Sequence, residues 1–132
     1  MDAKYTPLSD REEALATAVV DAAYQVHREL GPGLLESVYE AAFCHVLMKQ
    51  GFEARRQVVV PIVFDSIKFD EGFRIDVLVE NLVICELKSV ASIAPVHTAQ
   101  LLTYLKLTEK RLGFLINFNV PLIKKGIRRV IR

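Results

Sequence analysis

The stretch FRIDVLVENLVICELK, residues 73–88, decides the fold. Two runs rich in Val, Ile, Leu and Phe flank Glu80-Asn81, residue types that suit a turn. The segment therefore reads as a β-hairpin with strands over Phe73–Val79 and Leu82–Leu87. Three charges interrupt these apolar strands: Asp76, Glu86 and Lys88. Burying a charge is costly unless it is paired or bound to metal. Glu86 and Lys88 are two apart and share one face of their strand. Two carboxylates beside a lysine form a hard-oxygen site suited to Mg²⁺ or Mn²⁺. The competing reading is a structural ion pair with a spare carboxylate, or a wet sheet face. A D…E-x-K pattern alone is short and does not separate the two.

The hairpin sets a geometric requirement. A two-residue loop at Glu80-Asn81 places Val79 opposite Leu82 and Asp76 opposite Cys85, so Asp76 and Glu86 point to opposite faces. A three-residue loop, or one bulge, brings them to the same face. A metal site thus predicts an odd connection, with Asn81 a candidate for positive φ.

Upstream, Gln57 to Phe64 is rich in Val and Ile and reads as a strand, which Pro61 pushes to a sheet edge or a bulge. Ser66 to Phe69 is a candidate short strand. Before these, Ser9-Asp10-Arg11-Glu12 has the form of a capping box. Leu15, Val19, Ala22, Val26 and Leu30 follow at helical spacing, which predicts a helix from about Asp10 to Leu30. Gly31-Pro32-Gly33 stops it. A second helix spans about Leu34 to Gln50, with Gly51 as its stop. Downstream, Pro95 and His97 lead into a third helix through about Lys110, and Gly113 to Asn119 reads as a buried strand. The tail VPLIKKGIRRVIR is ambiguous, with Ile127 to Ile131 a candidate last strand.

The order is α-α-β-β-β-α-β. A strand–helix–strand crossover implies a parallel pair, and the hairpin implies antiparallel ones. The expectation is an α/β (α+β) domain with a mixed sheet flanked by helices. Its 132 residues suit one domain, 1–132. With 52% hydrophobic and 25% charged residues the composition is that of a soluble globular protein. No run of about 18 apolar residues occurs, so no membrane partner is expected. The segment MDAKYTPLSDREEA has no apolar core of a secretory signal. Cys44 and Cys85 sit in apolar segments and fit no ligand spacing, which reads as reduced core cysteines in a cytoplasmic protein. The net charge of +1 gives no general attraction to nucleic acid, so any such binding rests on local patches.

Several motifs together resemble a known family. Gly33-Leu-Leu-Glu36-Ser-Val-Tyr39 matches the pattern that names the GxxExxY proteins, a branch of the PD-(D/E)xK nuclease superfamily. The resemblance extends over VHRELGPGLLESVYE (26–40), FRIDVLV (73–79), CELKS (85–89), HTAQLLTYL (97–105) and GFLINFN (113–119). It implies a restriction-endonuclease-like core and a Mg²⁺- or Mn²⁺-dependent nuclease acting on DNA. Carried over by residue, Asp76 and Glu86 would ligate the metal, with Leu87 offering its backbone carbonyl. Lys88 would orient the attacking water or steady charge on phosphate. Glu36, on the second helix, would stand near the metal. Tyr39, one turn on, either packs or meets substrate. Gln100-Leu-Leu-Thr-Tyr104 resembles the Q-x-x-x-Y motif of RecB-like nucleases. Gln100 would then orient Lys88 or touch a phosphate, and Tyr104 would support the substrate strand. His97 lies one turn before Gln100 and joins the same face.

Basic residues gather at Arg55-Arg56, at Lys106, Lys110 and Arg111, and at Lys124, Lys125, Arg128, Arg129 and Arg132. The tail group is the best candidate for neutralising phosphates. The alternative to a nuclease is a non-catalytic nucleic-acid-binding or protein-interaction module on the same fold. Self-association as a homodimer, or a protein partner, would then supply specificity.

Overall fold

Ser9 opens the first helix. Its hydroxyl accepts from the Glu12 N–H at 3.1 Å, and the Glu12 carboxylate accepts from the Ser9 N–H at 2.7 Å, completing the expected capping box. In the computed structural model, which describes residues 6–132, this helix (α1) spans Asp10–Leu30. The reading of the N-terminus as free of a signal segment falls partly on residues 1–5, outside the described residues. After Gly31 at φ 67 the chain turns into α2, Glu36–Lys49. The strands β1 (Ala54–Phe64), β2 (Ile67–Val79) and β3 (Val83–Lys88) follow. Then come α3 (Pro95–Leu107), β4 (Leu112–Asn117), a 3-10 turn (Ile123–Gly126) and β5 (Ile127–Ile131).

The five strands form one mixed sheet in the order β1-β2-β3-β4-β5. α3 carries the chain from β3 across to β4, and this pair is parallel; the other three pairs are antiparallel. Alternation sends side chains to two cores. Val77, Val79, Val83, Cys85, Leu87 and Phe114 pack under α1 and α2. Ile75, Leu78, Ile84, Leu115 and Val130 pack under Leu101 and Leu105 of α3. Each such fully buried large side chain contributes about 1.5–3 kcal/mol of transfer free energy. Cys44 and Cys85 are free and buried, as expected. Among the described residues no helix is long and apolar enough to cross a membrane.

The structure departs from the sequence reading in β2 and in the third helix. β2 is one strand from Ile67, where the sequence reads as two runs broken by Asp70-Glu71-Gly72. A bulge absorbs the break: the register shifts between Val60 and Ile62, and a Cβ on Gly72 would stand 2.5 Å from the Val60 carbonyl oxygen. The third helix ends at Leu107 rather than Lys110, because Glu109 turns to φ 56. The tail does form the last strand, β5, on the outer edge of β4. Pro61 sits in β1, the opposite edge strand, as its missing N–H requires. Beyond Ile75, β1 and β2 continue as a two-stranded ribbon whose end exposes Phe64, Ile67 and Phe69.

Candidate metal centre

The β2–β3 hairpin turns over three residues, Glu80 to Leu82, with Val79 opposite Val83 and Val77 opposite Cys85. This is the odd connection that the sequence requires. Glu80 and Asn81 both take left-handed backbone, at φ 51 and φ 54. The turn is held from outside: Arg11 of α1 pairs with the Glu80 carboxylate, which also accepts from the Glu53 N–H at 2.5 Å. Asp76 therefore falls opposite Glu86. The ladder closes at Val77 and Cys85, and past this point the two carboxylates take over as acceptors. Glu86 Oε1 accepts from the Asp76 N–H at 3.3 Å, and Asp76 Oδ2 accepts from the Leu87 N–H at 2.9 Å.

The pair is poorly hydrated and short of positive charge. Glu86 is only 7% exposed and Asp76 is half-buried. Burial pushes the Glu86 carboxyl up to about 8, and the Asp76 charge adds to the rise; the Asp76 N–H and Lys88 oppose it. Asp76 is also raised, by burial first and then by the charges of Glu40 and Glu36, against the Leu87 N–H and Lys88. Neither carboxylate forms a salt bridge among the described residues. Two adjoining carboxylates, one buried and one half-buried, with no salt bridge are costly to ionise together, and a divalent ion removes that cost. The donor set, all hard oxygen, fits Mg²⁺ or Mn²⁺. It is a two-carboxylate set: among the described residues no three His, Cys, Asp or Glu side chains gather at ligating distance.

Two helix carboxylates stand behind the pair. Glu36, the first residue of α2, is exposed, and its charge reaches Asp76. Glu40, one turn on, is 5% exposed and its charge acts on Asp76 more strongly than that of Glu36. Arg56 Nε donates to Glu40 at 3.0 Å, and the Gln57 amide donates to both Glu40 oxygens at 3.0 and 3.2 Å. The same Gln57 nitrogen lies 3.5 Å from Asp76 Oδ1. Gln57 holds this place with φ at 53, a conformation that costs a non-glycine residue roughly 1 kcal/mol or more. Sequence reasoning missed both Glu40 and Gln57. The signals were a second Glu four residues after Glu36 and a lone amide at the start of a Val-rich strand.

Of the other candidates, the structure gathers some and separates others. Lys88 is half-buried, and its charge lowers both carboxylates. Tyr104 stacks on Phe73 at 3.9 Å and feels the charges of Glu86 and Asp76, which raise its phenol after burial does. Gln100 is exposed, and no hydrogen bond joins it to Lys88 among the described residues. His97 caps α3: its Nδ1 accepts from the Ala94 N–H at 3.1 Å, which places the neutral ring's proton on Nε2. Tyr39 needs correction as a substrate contact. It is fully buried, stacks on Phe118 at 4.6 Å, donates to the Gly31 carbonyl at 2.5 Å and accepts from the Leu34 N–H at 3.1 Å. Its work is to fasten the loop that enters α2.

A mixed five-stranded sheet flanked by helices, with acidic residues on adjoining strands and a lysine two positions on, defines a restriction-endonuclease-like nuclease fold. The family model described as the PD-(D/E)XK nuclease superfamily matches residues 13–130, and the chain belongs to that superfamily. Nucleases of this superfamily generally use divalent metal ions. No curated relative and no solved structure matches the chain.

Proposed function

We propose that the chain is a single-domain, Mg²⁺- or Mn²⁺-dependent nuclease that hydrolyses phosphodiester bonds in DNA, within the GxxExxY branch. The observation that carries this reading is the meeting of Asp76 and the buried Glu86 with no salt bridge to either. The Gly33–Tyr39 motif supports the finer branch, since its tyrosine anchors the start of α2 beside the site. Two free buried cysteines suit a cytoplasmic protein.

In this reading Asp76 and Glu86 would hold the ion, with the Leu87 carbonyl as a further oxygen donor; Glu36, which stands outside the two-carboxylate set, would join only by moving toward it. A bound divalent ion supplies Lewis-acid polarisation of the phosphate and acidifies water. Lys88 directs its ammonium at the phosphate, where negative charge grows during attack. Gln57, braced by Glu40, fixes the rotamer of Asp76. Tyr104 and Phe73 offer a flat wall beside the carboxylates, against which a strand of substrate rests.

The test is cleavage of single-stranded, duplex and flap DNA with Mg²⁺ or Mn²⁺, comparing the chain with Asp76→Ala. Metal-dependent cutting by the first and none by the second is expected. DNA affinity without cutting would assign the chain to the accessory class instead.

A further inference from the structure

The segment after β3 and the tail that feeds β5 close on a pocket of about 220 Å³. Its walls include Ser92, Ile93, Asn117, Lys125 and Arg128. Asn117 builds the pocket. Its side-chain oxygen accepts from the Val90 N–H at 3.1 Å and its amide donates to the Val90 carbonyl at 3.0 Å, which pins the loop that follows Lys88. Gly126 seats the tail so close that a Cβ there would lie 2.2 Å from the Asn117 carbonyl oxygen.

The sheet register relates this pocket to the metal centre. Glu86 pairs with Leu115, and Leu115 pairs with Arg128. Leu115 and Val130 belong to the core under α3, so Arg128 stands on the same sheet face as Glu86 and in the same cross-sheet row. Two strand spacings, about 10 Å, separate them. Arg129 and Arg132 of the tail, and Arg111 beside it, are occupied. Arg129 pairs with Glu13 at 2.8 Å, Arg111 donates to the Thr6 and Pro7 carbonyls, and Arg132 donates to the Lys110 carbonyl. The side chains of Lys125 and Arg128 make no hydrogen bond or ion pair among the described residues. Two unpaired cations on one small pocket, with the Ser92 hydroxyl beside them, form an anion site in which a phosphate satisfies all three donors.

We propose that this pocket binds a backbone phosphate of the nucleic-acid strand whose neighbouring phosphodiester lies at Asp76 and Glu86. The proposal rests on the nuclease reading and names a second contact for the strand, at the β5 edge of the sheet. Arg128 presents a planar fork to the phosphate and Lys125 a compact charge.

The test measures binding of single-stranded and duplex oligonucleotides by fluorescence anisotropy across a salt series. It uses an Asp76→Asn background so that the strand stays intact. Adding Lys125→Ala with Arg128→Ala is expected to weaken binding about tenfold at low salt. Loss of one phosphate contact should lower the slope of log affinity against log salt by roughly 0.7–0.9. Lys125→Glu with Arg128→Glu should weaken it further. Arg28→Ala with Lys49→Ala, on α1 and α2, should change neither quantity, and equal melting temperatures would show that all variants fold. Unchanged affinity and slope in the Lys125/Arg128 variants would overturn the inference, and the nuclease reading would still stand if the unsubstituted protein cuts. A chain that neither binds nor cuts nucleic acid would overturn both.

Discussion

Asp76 and Glu86 each accept a backbone hydrogen bond across β2 and β3: Glu86 Oε1 accepts from the Asp76 N–H, and Asp76 Oδ2 accepts from the Leu87 N–H. Each carboxylate thereby accepts from the backbone just past the last paired residues, Val77 and Cys85. The pair is locked to the backbone before any ion arrives. Pre-organisation of this kind favours an ion over water, because the ligands lose little freedom on binding.

The first prediction separates a metal site from a structural pair. Glu86→Gln keeps the shape, and its amide can donate to Asp76, so above about pH 8, where the Glu86 carboxyl ionises, the metal-free protein should gain stability by about 1 kcal/mol. The same change should weaken Mn²⁺ binding at least tenfold in a calorimetric titration. A structural role for the charges gives the opposite sign in the melting experiment.

A pH dependence follows from the raised Glu86 carboxyl. Its ordinary value is 4.5, and in the fold it stands at about 8. Between these values the folded chain holds a proton that the unfolded chain releases. The group's contribution is therefore fully present below about pH 4.5 and is lost as pH rises through 8. Urea unfolding in the presence of a chelator should show stability falling from pH 5.5 to 8.5, by at most about 1.4 kcal/mol per pH unit from this group. Glu86→Gln should flatten the curve. Mn²⁺ affinity should rise over the same window, since ion and proton compete.

Gln57 connects Glu40 to Asp76. Gln57→Leu removes that donor and leaves buried carboxylate oxygens unsatisfied, at a cost of about 1–3 kcal/mol. Mn²⁺ affinity should fall with it. Equal Mn²⁺ affinity in Gln57→Leu and the unsubstituted protein would show that Asp76 keeps its rotamer unaided.

Tyr39→Phe should cost about 1–3 kcal/mol of stability, because the Gly31 carbonyl and the Leu34 N–H lose their partner. Mn²⁺ affinity and DNA affinity should stay within twofold. A selective loss of DNA affinity would return Tyr39 to the substrate face.

The hairpin, and with it the facing of Asp76 and Glu86, was legible because alternation holds over the paired residues from Val77 to Cys85: one extra loop residue flips a side chain, and an apolar strand shows which side chains are misplaced. The capping box and the edge position of Pro61 were legible for a similar reason, since each rests on a local hydrogen-bonding rule. Glu40 was not. Its burial depends on Arg56 and Gln57, which come from a strand 16 and 17 residues away and whose pairing no periodicity reports. Nor was the continuity of β2, because Asp70-Glu71-Gly72 has turn-like composition and only the Val60 contact explains the glycine. For Tyr39 the sequence left packing and substrate contact open, because a motif position shows that a residue matters and not how; its buried hydroxyl serves the backbone.

The stacking of Tyr104 on Phe73 has an optical consequence. The chain contains no tryptophan, so its near-ultraviolet signal comes mainly from four tyrosines. Burial, and then the charges of Glu86 and Asp76, raise the Tyr104 phenol. Cation loading at those carboxylates must therefore alter its alkaline titration and its ultraviolet spectrum. The protein carries a built-in, label-free reporter of whether its acidic pair is filled.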